Sequence, residues 1–361
     1  MHISDTIEQL LENNIAFVAF RHPDAKEPQL IAGGEFISEK KLKKTPKAGF
    51  IFFPFHANEE SPALIFEPEI EVSGWEATLP FHQLNPAQNA NYSKTSKPYI
   101  ATKTEYLKQA GQLIASLNHE KIDKVVLSRV LAHPFEHKPS WGKIFRKLCL
   151  TYPKAFVYLL SDGNGLFWMG ATPETLLQVN QYQAYTMALA GTQAIKNTKS
   201  STYQWQKKEL EEQQYVVDYI HKLLRESGVE NPEISATSTQ IAGKMAHLIT
   251  HFDFMLPPQL SALGLAQKLH PTPAICGSPA SEALAMILNT ENHNRAYYTG
   301  FLGSFKDKSN AHVFVNLRCM QVVDDMAYIY VGGGLTADSV AEKEWEETVL
   351  KSGTILSLFS K

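Results

Sequence analysis

Glu209 and Glu212 stand three residues apart in KKELEEQQYVV, and Glu344 and Glu347 three apart in EKEWEETVLK. Residues at i and i+3 share a helix face, so each pair presents two carboxylates in one direction. Where two such helices face each other, up to four carboxylates converge and repel. A hard divalent cation relieves that repulsion, and Mg²⁺ takes carboxylate oxygens together with water and a substrate oxygen. The plainer reading is two solvated helix faces with i,i+4 partners, and Lys207, Lys208 and Lys343 are there to supply them. On spacing alone the plainer reading is the stronger.

Other residues carry chemical possibilities of the same kind. Lys124 opens the strand-like KVVLSR and shares a strand face with Val126 and Ser128. Desolvation there lowers an ammonium pKa and makes a usable base, whereas a strand-edge lysine stays solvated. Glu174 follows GATP, where Pro173 removes a backbone donor and ends the strand. A carboxyl just past a strand end donates a proton if its pKa is raised; otherwise it is an ordinary turn acid. Gly332, Gly333 and Gly334 lie between the apolar AYIYV and the last helix. Such a run brings backbone close to a ligand and turns N–H groups toward an anion, or simply makes a flexible turn. No Lys-Ser/Thr follows, so it is not a Walker A loop. Arg318 sits among apolar residues in VNLRCM and needs a partner, most simply a carboxylate held in a bidentate fork, whether from a ligand or from the protein.

These residues require elements to hold them. Helical spacing runs through 101–122, 203–227, 281–291 and 340–359, and the N-terminal MHISDTIEQLLENN also reads as an amphipathic helix. Strands rich in β-branched and aromatic residues are expected at 124–132, 155–161, 165–171, 184–192, 312–323 and 327–333. They come in consecutive groups with few alternating βα units, which predicts an α+β fold of large antiparallel sheets and not a doubly wound parallel sheet. Residues 1–100 look irregular, with strand pieces at 17–21 and 49–55, and 82–98 has the polar, Pro-containing character of a loop or linker.

Composition narrows the classes. The 361 residues, 44% hydrophobic, suffice for a large core, and a formal net charge of −3 gives no electrostatic case for nucleic acid. Cys149, Cys276 and Cys319 are sparse, odd in number and far apart, so no disulfide framework is expected. No apolar run approaches the roughly 18 residues of a membrane span. The chain reads as soluble and cytoplasmic, without a membrane partner.

Taken in order, KVVLSR (124–129), GATPE (170–174), ALAGT (188–192), LHPTPA (269–274) and EKEWEE (342–347) resemble the catalytic region of the chorismate-utilising enzymes, over about 240 residues from Lys124 onward. Residues 1–100 match only in length and position, and 101–361 form the resembling region of one integrated unit. The resemblance implies an α+β fold of large, mostly antiparallel sheets packed with helices around a central cleft. It implies Lys124 as general base and Glu174 as general acid. Gly191 and Thr192 line the substrate, His247 lies near its ring, and Tyr298, Arg318, Gly332 and Gly333 hold its side-chain carboxylate. Glu212 and Glu347 are direct Mg²⁺ ligands, with Glu209 and Glu344 as the companions in each pair, and Lys351 sits one turn beyond Glu347. Two departures are visible. Gln213 replaces a histidine in the family's KExxEH, and Ser339-Val-Ala-Glu342 lacks the proline of S-x-P-E, which predicts a slightly different helix start.

The form LHPTPAICG (269–277) and the presence of Lys124 are similar to the members that add water to make isochorismate, an isomerase activity serving menaquinone or siderophore assembly. Salicylate synthases and amine-transferring members differ at one or both features, and a non-catalytic chorismate binder would be expected to lose some of Lys124, Glu174, Glu212 and Glu347. The resemblance also implies a monomer or weak homodimer.

Overall fold

The computed structural model describes residues 2–42, 46–87, 96–117, 119, 122–194, 204–242 and 245–359; the side chains of Thr192, Ala194, Ala242 and Met245 lie outside the description. Two antiparallel sheets dominate it. The first runs, in spatial order, Gly277–Ser278, Lys124–Pro134, Met326–Leu335, Cys319–Val323, Phe167–Thr172, Phe156–Ser161, Phe17–Arg21, Gln29–Ala32 and Ile70–Ser73. The second runs Glu233–Ile234, Met245–Met255, Gln183–Ala194, Thr175–Asn180, Asn310–Val315, Phe301–Asp307, Gly49–Phe53, Leu64–Phe66 and Phe36–Ser38, with Ser238–Ala242 also paired to Met245–Met255. The fold is therefore α+β with antiparallel sheets, as the grouping of strands predicts. Strands before residue 100 join both sheets: Phe17–Arg21 pairs with Phe156–Ser161, and Gly49–Phe53 with Phe301–Phe305.

The sheets pack face to face through aromatic side chains. Phe52 stacks on Tyr297 at 3.9 Å and Phe156 on Phe314 at 4.2 Å between ring centroids, within a buried cluster drawn from both sheets. Each fully buried ring of this kind contributes about 2 kcal/mol through apolar area removed from water. Helices cover the outer faces. Ile3–Glu12 and Trp141–Thr151 pack on the first sheet, Lys207–Glu226 and Ala262–Leu269 on the second. Lys103–Leu117, Ala280–Thr290 and Ala341–Leu356 enclose the end bearing Lys124. Among the described residues, no helix is long and apolar enough to cross a membrane.

Three local differences from the sequence reading matter for the site. The stretch 312–323 is not one strand. It breaks at Asn316–Arg318, with Arg318 at φ +49°, so that Asn310–Val315 belongs to the second sheet and Cys319–Val323 to the first. Gly332–Gly334 form no turn before the last helix; they lie inside the strand Met326–Leu335, opposite Ser128, Leu127 and Val126. The helix expected over 203–227 is described from Lys207, Tyr203 lying outside the described residues.

The break at 316–318 is held by one buried side chain. Asn316 accepts from the Tyr158 hydroxyl at 2.7 Å and donates to the Tyr297 carbonyl at 2.9 Å. Asn316→Ala takes the acceptor from the buried Tyr158 hydroxyl, while Tyr297 O keeps its Gly300 N donor, and is expected to destabilise the protein by about 1–3 kcal/mol. A lower urea midpoint at unchanged m-value would report it.

Candidate active site

The chain passes from the first sheet to the second between Thr172 and Thr175, and back between Val315 and Cys319. The flanking strands are neighbours in both sheets, so the two corners lie side by side. They are cross-linked: Val315 N donates to Glu174 O at 3.0 Å, Ala171 N to Arg318 O at 3.1 Å, and the Thr172 hydroxyl to Val315 O at 2.6 Å. Glu174 and Arg318 line one cavity of about 120 Å³. Gly191, Glu212, His247, Tyr298, Gly332, Gly333, Glu347 and Lys351 line the same cavity.

At the corner end, burial raises the Glu174 carboxyl to about 8 against the opposing pull of Lys124, so it holds its proton through neutrality. Arg318 donates to His247 Nε2 at 3.1 Å. Burial, then the nearby charges of Arg318 and Lys351, lower His247 to about 3, and a hydrogen bond to the Gly191 backbone opposes them. His247 is thus a neutral imidazole whose Nε2 accepts from the guanidinium. Gly191 makes this approach at φ +62°, where the Gln183–Ala194 strand bulges between Ala190 and Thr192. The left-handed conformation there favours glycine. Tyr298, buried, stacks on Tyr330 at 5.5 Å, and desolvation holds its phenol protonated.

At the other end each carboxylate holds a lysine. Lys124, fully buried, donates to Glu212 at 2.7 Å; Lys208 donates to Glu344 at 2.6 Å; Lys351 pairs with Glu347 at 2.7 Å and donates to Gly332 O at 3.0 Å. Burial would raise Glu212, but Lys124, Lys351 and Lys208 outweigh it and hold the carboxyl below its ordinary value. Burial raises Glu344, only partly countered by Lys208, and Glu347 adds to the rise. Glu344 Oε2 is buried with no hydrogen-bond partner. The Ser339 hydroxyl takes the other oxygen at 2.9 Å, and the helix begins at Ala341 without a side-chain cap.

The in-strand glycines make room for these groups. A Cβ at Gly334 would fall 2.6 Å from Lys124 Cε and 3.0 Å from Glu212 Oε1; one at Gly332 would meet the Tyr298 hydroxyl at 3.1 Å. Of the glycine strand, Cys319–Val323 pairs with Met326–Ile329 alone, so beyond that point the glycine strand turns this edge to the cavity.

Ten of the fourteen residues singled out from the sequence line the cavity. Lys124 lies directly behind Glu212 and Gly334, and Glu344 behind Gly333. Glu209 is used differently: its carboxylate accepts from Gln206 N at 2.8 Å and closes a capping box at the start of its helix. The Thr192 backbone is in place on its strand, but its side chain lies outside the described residues. Among the described residues no group of three His, Cys, Asp or Glu side chains is arranged to hold a metal ion; lysines occupy the carboxylates instead. Two features escaped the sequence reading. Gln213 is a buried strut, donating to Ala188 O and Thr250 and accepting from Ala190 N. Arg295, in NRAYYTG, donates to Val126 O and Ile275 O and is paired with Glu291, which accepts from Ser128 N.

The fold and the cavity define a class. The sequence model described as chorismate binding enzyme matches residues 3–360, and the chain belongs to that family. Among its relatives is the isochorismate synthase EntC of Escherichia coli (strain K12), 25% identical over 317 residues, covering 85% of this chain and 79% of that protein. Two solved structures share the fold. A putative 2,3-dihydroxybenzoate-specific isochorismate synthase, DhbC, from Bacillus anthracis has TM-score 0.79 and 24% identity over 99% of both chains. The menaquinone-specific isochorismate synthase MenF from Escherichia coli has TM-score 0.80 and 18% identity, over 97% of this chain and 90% of that one.

The raised Glu174 has a stability consequence. Between its ordinary 4.5 and about 8 the folded protein binds a proton that the unfolded chain releases, so stability falls as pH rises through that window. Glu174→Gln removes the effect. The variant should match the wild type below about pH 4.5 and gain on it up to about pH 8, by at most about 1.4 kcal/mol per pH unit. Urea melts across pH test this, and parallel curves would contradict it.

Proposed function

We propose that this enzyme is an isochorismate synthase, an isomerase that adds water at ring C2 of chorismate while the C4 hydroxyl departs. The observation that carries the reading is the pairing, around one cavity, of a buried lysine with a carboxyl that stays protonated at neutral pH. Arg318 is the carboxylate-binding arginine of the same site. The relatives named above support the reaction class.

In this reading Arg318 and Tyr298 hold the enolpyruvyl carboxylate, with the exposed edge of Gly332–Gly334 beside them. The neutral His247 fixes the guanidinium by accepting from it. Holding both substrate carboxylates orients the ring, which lowers the entropic part of the barrier. Lys124 turns from Glu212 toward the cavity and takes a proton from the water that attacks C2. Glu174 gives its proton to the departing C4 hydroxyl, which leaves as water. Each member of such an acid–base pair is worth roughly 10²–10⁴-fold.

The donors also fit a divalent cation. Glu212 and Glu347 offer hard oxygens at the cavity wall, and Glu344 has a buried oxygen without a partner. Glu212 and Glu347 would hold Mg²⁺, which would supply Lewis-acid polarisation of the ring carboxylate. Glu209, engaged in its capping box, supports the helix that carries Glu212. The enzyme works in the cytoplasm on a small-molecule substrate, as a monomer or weak homodimer, and residues 1–100 and 101–361 form one integrated unit.

Purified protein given chorismate and Mg²⁺ should yield isochorismate by chromatography, and EDTA should stop it. Salicylate and pyruvate as main products would instead mark a salicylate synthase. Lys124→Ala should lower kcat by at least about 100-fold with chorismate affinity, measured by calorimetry, little changed. Undiminished turnover in that variant would remove Lys124 from the base role.

A further inference from the structure

Arg318 and Pro173 have two faces. Both line the cavity described above, and both also line a second, outward crevice of about 150 Å³, bordered by Tyr152, Lys154, Gln240 and Ile241. Lys154 and Ile241 are exposed, whereas Arg318 and Tyr152 are partly covered. The crevice therefore runs from solvent to Arg318, and none of Glu212, Glu344 and Glu347 lines it.

We propose that this crevice is the route by which the anionic substrate reaches the cavity, with Arg318 as the gate that first captures it. The proposal rests on the reading of the substrate as chorismate, a dianion. Three observations carry it. The first is charge. Among the described residues, no acidic one lines the crevice, which presents Lys154 at its mouth and Arg318 at its floor. A dianion entering at the other end would meet Glu212 and Glu347, with Glu344 behind, all engaged with lysines. A mouth lined by cations draws an anion in and raises its rate of encounter.

The second observation is the difference between the two walls. On one side the Tyr152–Ala155 backbone is pinned by Arg21, which donates to the carbonyls of Tyr152 at 2.7 Å, Pro153 at 2.8 Å and Ala155 at 3.0 Å. On the other side Gln240 and Ile241 belong to a strand that lies off the path of its sheet and pairs with Met245–Met255 alone. One wall is fixed, and the other is laddered, among the described residues, along one edge, with Trp205 Nε1 donating to Thr239 at 2.9 Å beside it; this more lightly attached wall can give as a ring passes. The third is the gate. Arg318 donates to His247 Nε2 at 3.1 Å, so its guanidinium is tied to a cavity-lining side chain while the residue also lines the crevice. An incoming carboxylate can engage the guanidinium before the ring has passed, and the same contact then carries it inward.

The test plugs each end in turn. Cys149, Cys276 and Cys319 are all buried, so a bulky maleimide should react selectively with an introduced thiol. Labelled Ile241→Cys protein should show chorismate association slowed at least about tenfold by stopped-flow fluorescence, with unlabelled Ile241→Cys near wild type. Leu350→Cys, exposed beside Lys351 at the carboxylate end, should bind chorismate within about twofold of wild type when labelled. The opposite pattern, or no effect at either position, overturns the proposal. Lys154→Glu gives a readout that a purely structural role would not move: association should slow about threefold at low ionic strength, the difference vanishing in high salt. An association rate independent of this charge would also count against the route. Wild-type protein that neither binds nor converts chorismate would overturn the functional reading itself, separately from the path of entry.

Discussion

Two polypeptide corners, pressed together where the chain changes sheets, are the constraint on which the site depends. A strand that leaves one ladder for another passes through a stretch where no ladder satisfies its backbone, and buried peptide groups must find partners elsewhere. Here the corners satisfy each other, through Val315 N, Ala171 N and the Thr172 hydroxyl. Because neither ladder fills the space between the corners, a cavity opens there. Because it opens inside two packed sheets, the side chains that point into it are desolvated. The protonated Glu174 and the neutral His247 both follow from that placement, since burial is the largest influence on each.

The carboxylate end obeys a different balance. Buried ion pairs are poor stabilisers, because desolvation offsets much of the Coulomb attraction. One pair with a fully buried lysine, Lys124–Glu212, and two partly exposed pairs, Lys208–Glu344 and Lys351–Glu347, gather at this end of the cavity, and they leave one Glu344 oxygen buried without a donor. An unsatisfied buried acceptor costs about 1–3 kcal/mol. The glycine strand intensifies the crowding, since its bare backbone lets Lys124 and Glu212 approach. A wall built for stability alone would hold fewer charges and more side chains. The arrangement suits a site whose ligand supplies the partner that the Glu344 oxygen lacks.

Much of this was legible in the sequence, and the failures have physical reasons. Strand composition and grouping gave the antiparallel α+β fold because both sheets are half-buried surfaces with ordinary periodicity. The break at Arg318 left no trace: the residues on both sides are apolar and strand-forming, and only a positive φ at a non-glycine position separates the two strands. In the sequence the glycine run stays open between backbone that approaches a ligand and a flexible turn, because glycine usually ends strands. Here strand pairing with Leu127 and its neighbours overrides local preference, and the absent side chains serve their neighbours. The helix Trp141–Thr151 had a readable signal, with Trp141, Phe145, Leu148 and Cys149 on one buried face. Of the lysines available to neutralise the glutamates locally, Lys207 does pair with Glu211 one turn on, but Lys208 crosses to the other helix and takes Glu344. Spacing within one helix carries no information about such a partner.

The segment LHPTPAICG illustrates how a motif can matter without performing chemistry. Its Ala274 and Ile275 are cavity wall. The residues that follow form the edge strand beside Lys124, with Gly277 opposite Val125 and Ser278 opposite Lys124. A Cβ at Gly277 would fall 2.2 Å from the Lys124 carbonyl oxygen, so the strand approaches as closely as it does only because that position is bare. Arg295 then ties Ile275 O to Val126 O, with Glu291 beneath it holding Ser128 N. The segment thus covers the lysine strand and is stitched to it from below, and Lys124 ends fully buried. A different segment here would change the packing and polarity around that ammonium while leaving every acid and base in place. A stretch that lines the cavity with Ala274 and Ile275 and covers Lys124 therefore shapes that side chain's surroundings through packing and not through a group of its own in the cavity.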